Sequence, residues 1–315
     1  PLKNLYGTLQ ISDKAIRAAS NNAGAFASLL SGEMQNLIKT AQANLNGMLY
    51  GNGKKFLGYA DEITMSPNQI TLPARFLGNF AVGDKFEVFT AGNDATGGVL
   101  TVTGFSGGKI SFTGTHTVTN QDRLYMYSAD DESTELNGID SIFRKDAIYN
   151  LPVSSHAEIL PYTMDGDDTT LEVLNENQLL KFFDNYEEHC QGTPADILLT
   201  HPTVRRALFE DLRNLRTNID AAELAGGFRG FSFNGIPVYS DIKCKGGTLY
   251  ALNSDSWAIH QLCDWTWLSG EEGGVLKQMD GKAGYIATLV KYADLLCDKP
   301  FIQGKASNYS ATKVN

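Results

Sequence analysis

Residues 196–208 read Asp-Ile-Leu-Leu-Thr-His-Pro-Thr-Val-Arg-Arg-Ala-Leu, and this stretch decides the fold class. Asp196-Ile197-Leu198-Leu199-Thr200 is a short unbroken apolar run, the pattern of a strand buried on both faces. His201-Pro202-Thr203 then opens a helix from Val204 to about Leu215. Upstream, Leu174 to Cys190 reads as another helix, with Leu179, Leu180, Phe183 and Tyr186 on one face and a Gly192-Thr193-Pro194 turn after it. Downstream, strands through Phe231 and Phe233 and through Ile236-Pro237-Val238-Tyr239 flank Asn234-Gly235, the strongest short hairpin signal. Thr248–Leu252, Trp257–Leu262, Trp265–Leu268 and Tyr285–Tyr292 are further strands, before a polar tail from Gly304 to Asn315 expected to be exposed or partner-bound. Helices mixed with hairpin-forming strands make this an α+β chain.

The first segment reads as helical. Ser12 and Asp13 can cap a short helix, and Asn21-Asn22 interrupts it. From Ala23 to Leu49 the apolar positions Phe26, Leu29, Leu30, Met34, Leu37, Ile38, Ala41, Leu45, Met48 and Leu49 recur every three or four residues. At 1.5 Å per residue such a helix is about 40 Å long. Gly51 and Gly53 supply its stop. A coiled coil is the rival reading, but Gly32 and Gly47 weaken it and no heptads are sustained. From about Ile63 to Tyr127 the pattern changes to short alternating runs at Ile70–Leu72, Lys85–Phe89, Val99–Val102, Lys109–Phe112 and Arg123–Tyr127. Turns such as Gly92-Asn93-Asp94 and Ser106-Gly107-Gly108 separate them, suggesting a small barrel or sandwich. Gly83-Asp84 and Gln121-Asp122 read as turn chemistry.

Composition narrows the function. No apolar run approaches the roughly 20 residues that span a bilayer, and no secretory leader follows Pro1. Cys190, Cys244, Cys263 and Cys297 are isolated, which favours free buried thiols over a zinc site or disulfide framework. A net charge of −10, with bases interspersed among acids, disfavours a sequence-reading DNA-binding protein. It leaves room for a protein that surrounds DNA without gripping it.

Constellations for catalysis are absent at the level of motif. Gly51-Asn52-Gly53-Lys54 is too short for a phosphate loop and follows a helix, while Gly226-Gly227-Phe228-Arg229-Gly230 precedes a strand. There is no G-x-S-x-G elbow. His116, His156, His189, His201 and His260 lack metal-ligand spacing, with His189 and His201 reading as surface or cap residues. His189 and Cys190 are adjacent and point apart on a helix. Asp165-Gly166-Asp167-Asp168 lacks the spacing of a calcium loop and reads as a solvated turn, as does Asp130-Asp131-Glu132. The expectation is no catalytic, cofactor-binding or metal residues.

The order of segments resembles the major capsid proteins of tailed phages, the Hong Kong 97 (HK97-like) fold. The resemblance rests on Leu45-Asn46-Gly47-Met48-Leu49-Tyr50-Gly51-Asn52-Gly53, on Ile197 through Leu208, and on Gly227-Phe228 leading to Phe233-Asn234-Gly235-Ile236-Pro237-Val238. Gly247-Thr248-Leu249-Tyr250-Ala251-Leu252-Asn253, Trp257, Trp265-Thr266-Trp267-Leu268 and Tyr292-Ala293-Asp294-Leu295 complete it. It implies a spine helix in a peripheral domain over 1–60, an inserted all-β module over 61–135, an axial-type α/β domain over 136–253, and C-terminal strands returning to the peripheral domain with a tail over 254–315. It further implies a non-enzymatic virion protein assembled in the host bacterial cytoplasm. Copies would form hexamers and pentamers around double-stranded DNA, alongside portal, scaffolding and decoration proteins, with no membrane and no cofactor. An extended N-terminal arm is not visible downstream of Pro1; an upstream segment or the β module is expected to take its role. The family's covalent cross-link has no placeable Lys and Asn here. Axial contacts are expected around Asp211–Gly230, and outward contacts from the β module. A decoration or tail protein, an encapsulin-type compartment shell and a carbohydrate-active enzyme are the competing readings.

Overall fold

The computed structural model describes residues 2–19, 23–60, 62–65, 68–89, 96–114, 123–127, 135–143, 147–149, 151–166, 174–214, 221–224, 228–269, 274–307 and 309. The chain opens with strand β1 (Lys3–Ser12), then helices α1 (Asp13–Ala19) and α2 (Ala23–Leu49). Next come β2 (Phe56–Tyr59), β3 (Glu62–Met65), β4 (Asn68–Thr71), a short α3 (Ala74–Leu77), β5 (Lys85–Phe89), β6 (Thr96–Ser106), β7 (Lys109–Thr113) and β8 (Arg123–Met126). A 3-10 turn at Ile139–Phe143 precedes the small strands β9 (Ala147–Ile148) and β10 (Leu151–Pro152), and then β11 (Tyr162–Asp165). The remainder runs α4 (Glu176–His189), β12 (Ile197–Thr200), α5 (Pro202–Asn214), β13 (Ala221–Leu224), β14 (Phe228–Phe233), β15 (Ile236–Ser240) and β16 (Leu249–Leu252). It closes with β17 (Trp257–Trp267), β18 (Lys277–Gln278), β19 (Gly284–Cys297) and β20 (Gly304–Ser307).

Three sheets organise these elements. A mixed seven-stranded sheet runs β11-β20-β16-β12-β15-β14-β13. Its β12 and β15 are parallel, so the chain must cross over between them, and α5 with the β13–β14 pair makes that crossing. The β14–β15 turn is of the I′ kind, with φ of 51° at Asn234 and 80° at Gly235, which explains the Asn-Gly pair. A side-chain capping box between Asn175 and Gln178 starts α4. That helix buries Leu179, Phe182, Phe183 and Tyr186 against the sheet, joined by Val204 and Leu208 of α5. Phe182 takes the place expected for Leu180, which is exposed.

The second sheet is antiparallel, ordered β2-β8-β5-β6-β7-β4-β3, and pairs as one path instead of two stacked sheets. Leu57, Ile70, Phe86, Val88, Leu100, Val102, Ile110, Phe112 and Leu124 belong to one apolar cluster among its described residues. The β6–β7 turn has φ of 56° and 81° at Gly107 and Gly108. Both connections to this sheet leave the rest of the molecule at one point, where Met126 N–H donates to Lys55 O (2.9 Å) and Glu135 N–H to Gly53 O (3.0 Å). At Gly138 a Cβ would stand 2.4 Å from Met48 O, so only glycine lets the returning chain pass the end of α2.

The third sheet places β19 between β1 and β17, with β18 also on β19. Three sequence expectations change here. Residues Lys3–Ser12 are a strand, where a helical start was expected. Ser12 still caps the helix that follows, accepting from Ala15 N–H at 3.2 Å. The runs Trp257–Leu262 and Trp265–Leu268 are one strand, with irregular register at Gln261–Cys263 and Cys263–Thr266. The supposed polar tail is no tail at its start: Gly304–Ser307 is a buried strand between β11 and β16. Its polar residues are held by partners elsewhere, Lys305 by Asp140 and Ser307 Oγ by Asp165 (2.5 Å). The turns at 92–94 and 121–122, His116, residues 130–132, 167–168 and 226–227, and the last residues from 310 lie outside the described residues, as do the side chains of 209–231.

Glycine substitutions test this packing with opposite signs. A Cβ at Gly304 would lie 2.7 Å from Tyr186 Cδ2 and 2.9 Å from Phe182 Cζ, whereas one at Gly32 meets nothing within 4 Å. Gly304→Ala is expected to cost about 1–3 kcal/mol by overpacking. Gly32→Ala should stabilise α2 by about 0.5–1 kcal/mol. Urea unfolding of the isolated subunit measures both.

Candidate assembly interface

An open cleft of about 630 Å³ lies where the three parts of the chain meet. The end of α2 contributes Leu49 and Tyr50. The sheet face of β12, β15 and β16 contributes Ile197, Leu199, Tyr239 and Leu252, and β17 and β19 contribute Trp257, Ile259 and Leu295. Alternation along β12 explains this placement: Leu198 points into the cluster under α4 and α5, so Ile197 and Leu199 face the other way. Asp241 anchors the wall. It accepts from Asn46 Nδ2 (3.0 Å) and Lys243 N–H (2.8 Å), and its charge lies near the Tyr50 phenol. Burial, then the charge of Asp241, pushes the Tyr50 phenol well above its ordinary range.

The strands beside the cleft are unusually open. β17 has β19 on one side and, among the described residues, nothing on the other. Ile259 is 53% and Leu262 77% exposed, and on the far edge strand β1 Tyr6 is 62% exposed. Lys291 of β19 pins the irregular part of β17, donating to Gln261 Oε1 (2.8 Å) and Asp264 Oδ1 (2.6 Å). No described residue of α2 from Leu30 to Leu49 is fully buried.

Behind the cleft, Ile139 is followed by Asp140, whose side chain is 13% exposed. It pairs with Lys305 and accepts from the Tyr250 hydroxyl at 3.1 Å. Burial alone would raise the Asp140 pKa, but the charges of Lys305, Lys245 and Arg123 outweigh it and hold the carboxyl well below its usual range. Lys305 Nζ also sits 5.4 Å from the Phe143 ring centroid and 5.8 Å from that of Tyr250. This pair ties β20 to the 3-10 turn.

The residues weighed for chemistry are dispersed. Lys54, the lysine of the glycine-flanked loop, pairs with buried Glu87 at 3.1 Å. His201 Nδ1 accepts from Thr203 N–H (3.3 Å) as a helix cap, His189 Nε2 contacts Leu160 O (2.9 Å), and His156 contacts Glu158 (3.2 Å). His260 stands opposite Asp294 across β17 and β19. Burial pushes the thiols of Cys190 and Cys297 up to about 11 and that of Cys244 to about 12. Such thiols stay protonated and unreactive at neutral pH. Among the described residues no group of three His, Cys, Asp or Glu could hold a metal ion, and no helix is long and apolar enough to cross a membrane.

Comparison with solved structures bears on the fold. The chain aligns over 98% of its length with 78% of a chain in the cyanophage A-1(L) capsid asymmetric unit, with a TM-score of 0.56 at 11% identity. The chain has the fold of a phage capsid protein. The capsid of Myoviridae phage XM1 aligns with a TM-score of 0.43, 10% identity, and coverage of 98% and 73%. The holo-SrpI encapsulin complex from Synechococcus elongatus PCC 7942 gives 0.38, 14%, and coverage of 65% and 80%. No protein-family model and no curated protein matches the sequence. The capsid fold was named from the order of segments. The cleft was not, since its walls come from residues as distant as Leu49 and Leu295.

The Asp140–Lys305 pair predicts acid sensitivity. A carboxyl with a depressed folded pKa stabilises fully above its unfolded value of about 3.9 and loses that contribution as pH falls towards the folded value. Subunit stability should therefore decline below about pH 4, and Asp140→Asn should flatten that decline. Lys305→Met leaves a buried carboxylate without its nearest cation and should cost about 3–5 kcal/mol at pH 7. Circular dichroism across pH and urea titration provide the measurements.

Proposed function

We propose that this chain is the major capsid (head) protein of a tailed phage. Copies assemble into hexamers and pentamers that close an icosahedral shell around double-stranded DNA. The alignment of nearly the whole chain with the cyanophage capsid subunit carries this reading. The open edge of β17 and the exposed Tyr6, Ile259 and Leu262 support it, because contact between copies would cover such surface. In this reading α2 is the spine of a peripheral domain that also holds β1, β17 and β19. The sheet around α4 and α5 is the axial domain. The β2–β8 sheet is an insertion available for outward or inter-capsomer contacts.

The protein acts by burying surface between copies, without catalysis, cofactor or metal. It is a virion component made in the bacterial cytoplasm, with portal, scaffolding and decoration proteins as further partners. The net charge of −10 keeps packaged DNA from adhering to the wall, so the DNA is enclosed without sequence-specific contacts. An encapsulin-type shell would use the same fold, and the contents of the particle, genome or enzyme cargo, distinguish the two.

Electron microscopy of the purified chain at assembly concentration should reveal closed shells. Tubes would point to a tail component. A compact monomer that turns over a glycan would overturn the reading. Free subunits should bind duplex DNA only weakly at low salt, and tight binding would count against the charge argument.

A further inference from the structure

The cleft between α2, β12, β15 and β17 contains one charge that is not accounted for. Of its two ionised lining residues, Asp241 is satisfied by Asn46 and the Lys243 amide. Arg205, at the start of α5, is half-buried and pairs with no acid among the described residues. A guanidinium partly withdrawn from water in a cleft lined by Ile197, Leu199, Trp257 and Ile259 loses hydration that no acid among the described residues replaces. Guanidinium is also the group best shaped to take a carboxylate through two parallel hydrogen bonds. At about 630 Å³ the cleft falls within the size range of binding pockets.

We propose that this cleft is the seat for a segment of a neighbouring copy that presents apolar side chains together with one carboxylate, the carboxylate pairing with Arg205. This rests on the shell reading, which supplies the neighbour. Two observations favour a second copy as the occupant. Among the described residues the edge of β17 beside the cleft is unpaired, and Ile259 and Leu262 on that strand are apolar and exposed, as surface covered by another copy would be. The chain is also rich in the needed group, with 36 acidic residues against 26 basic ones. A donor segment elsewhere on the same subunit makes the contact heterologous, and such contacts close into rings, as capsomers require.

The test uses the full chain, with assembly followed by sedimentation velocity and electron microscopy. Arg205→Ala should raise the concentration needed for assembly by about tenfold or more, and Ile259→Asp should abolish assembly. Both subunits should melt at the wild-type temperature, because Arg205 forms no ion pair among the described residues and Ile259 is 53% exposed. Independently of those variants, benzoylphenylalanine in place of Ile259 should give covalent dimers on irradiation of assembled particles, mapped by mass spectrometry to an acidic, apolar peptide of the second copy. Normal assembly of both variants, or cross-links only within one chain or to a different protein, would overturn the proposal while leaving the shell reading intact. A wild-type chain that never forms particles would sink the shell reading, and this inference with it.

Discussion

The hydrogen-bond ladder of β19 is the constraint on which the rest depends. Ten residues of β1 pair with it in unbroken register from Lys3↔Ala293 to Ser12↔Gly284, and β17 pairs along its other side. The first strand of the chain is thereby locked to one of the last, and α2 lies against β1, with Leu37 reaching Gly7. The Tyr149 hydroxyl continues the ladder beyond Lys3 by accepting from Cys297 N–H at 2.7 Å. A single strand so placed fixes the floor on which the helix rests and the open edge of β17. Contacts between residues nearly 300 positions apart also mean that a large loop-closure entropy opposes the pairing of this sheet.

Electrostatics play a narrower part. The buried Asp140–Lys305 pair is surrounded by Tyr250 and Phe143 and joins two sheets' worth of packing, since Tyr250 belongs to the cluster shared with Leu295 and Cys297. Replacing such a pair with apolar residues of the same size is often neutral, whereas removing one member is not. Its role here is to specify which residues meet. Lys305 has one place where its charge is answered, so the register of β20 against β11 and β16 has few alternatives.

What could be read in advance was what local pattern determines. The span of α2, the Asn234-Gly235 hairpin and the strand β12 follow from periodicity and turn chemistry, and the structure has them at the expected residues. β1 was legible too, since Leu5, Leu9 and Ile11 alternate with Asn4, Tyr6, Thr8 and Gln10, but Gly7 interrupts the inward series where Leu37 needs room. Leu180 and Phe182 are equally apolar, and only the rotation of α4 decides between them; the i, i+3, i+4, i+7 spacing of Leu179, Phe182, Phe183 and Tyr186 held the answer. Gly304–Ser307 looked like tail because nothing local marks it as buried. Its neighbours Tyr186, Phe182 and Asp140 are over a hundred residues away. The same holds for the cleft, which exists only once the sheets are assembled.

The crossing at Gly138 has a consequence for how this protein can change. Chain that departs after Gly53 and rejoins at Glu135 does so through adjacent backbone atoms, bonded at 3.0 Å, so everything between is a closed excursion. Varying the size of such an excursion alters loop-closure entropy only logarithmically, by about 0.6 kcal/mol per doubling. The rest of the architecture then depends on the excursion chiefly at its root, where Arg123 of β8 adds its charge beside Asp140. A peptide inserted at the Gly107-Gly108 tip, where added atoms meet nothing within 4 Å, would ride on the subunit without disturbing that path.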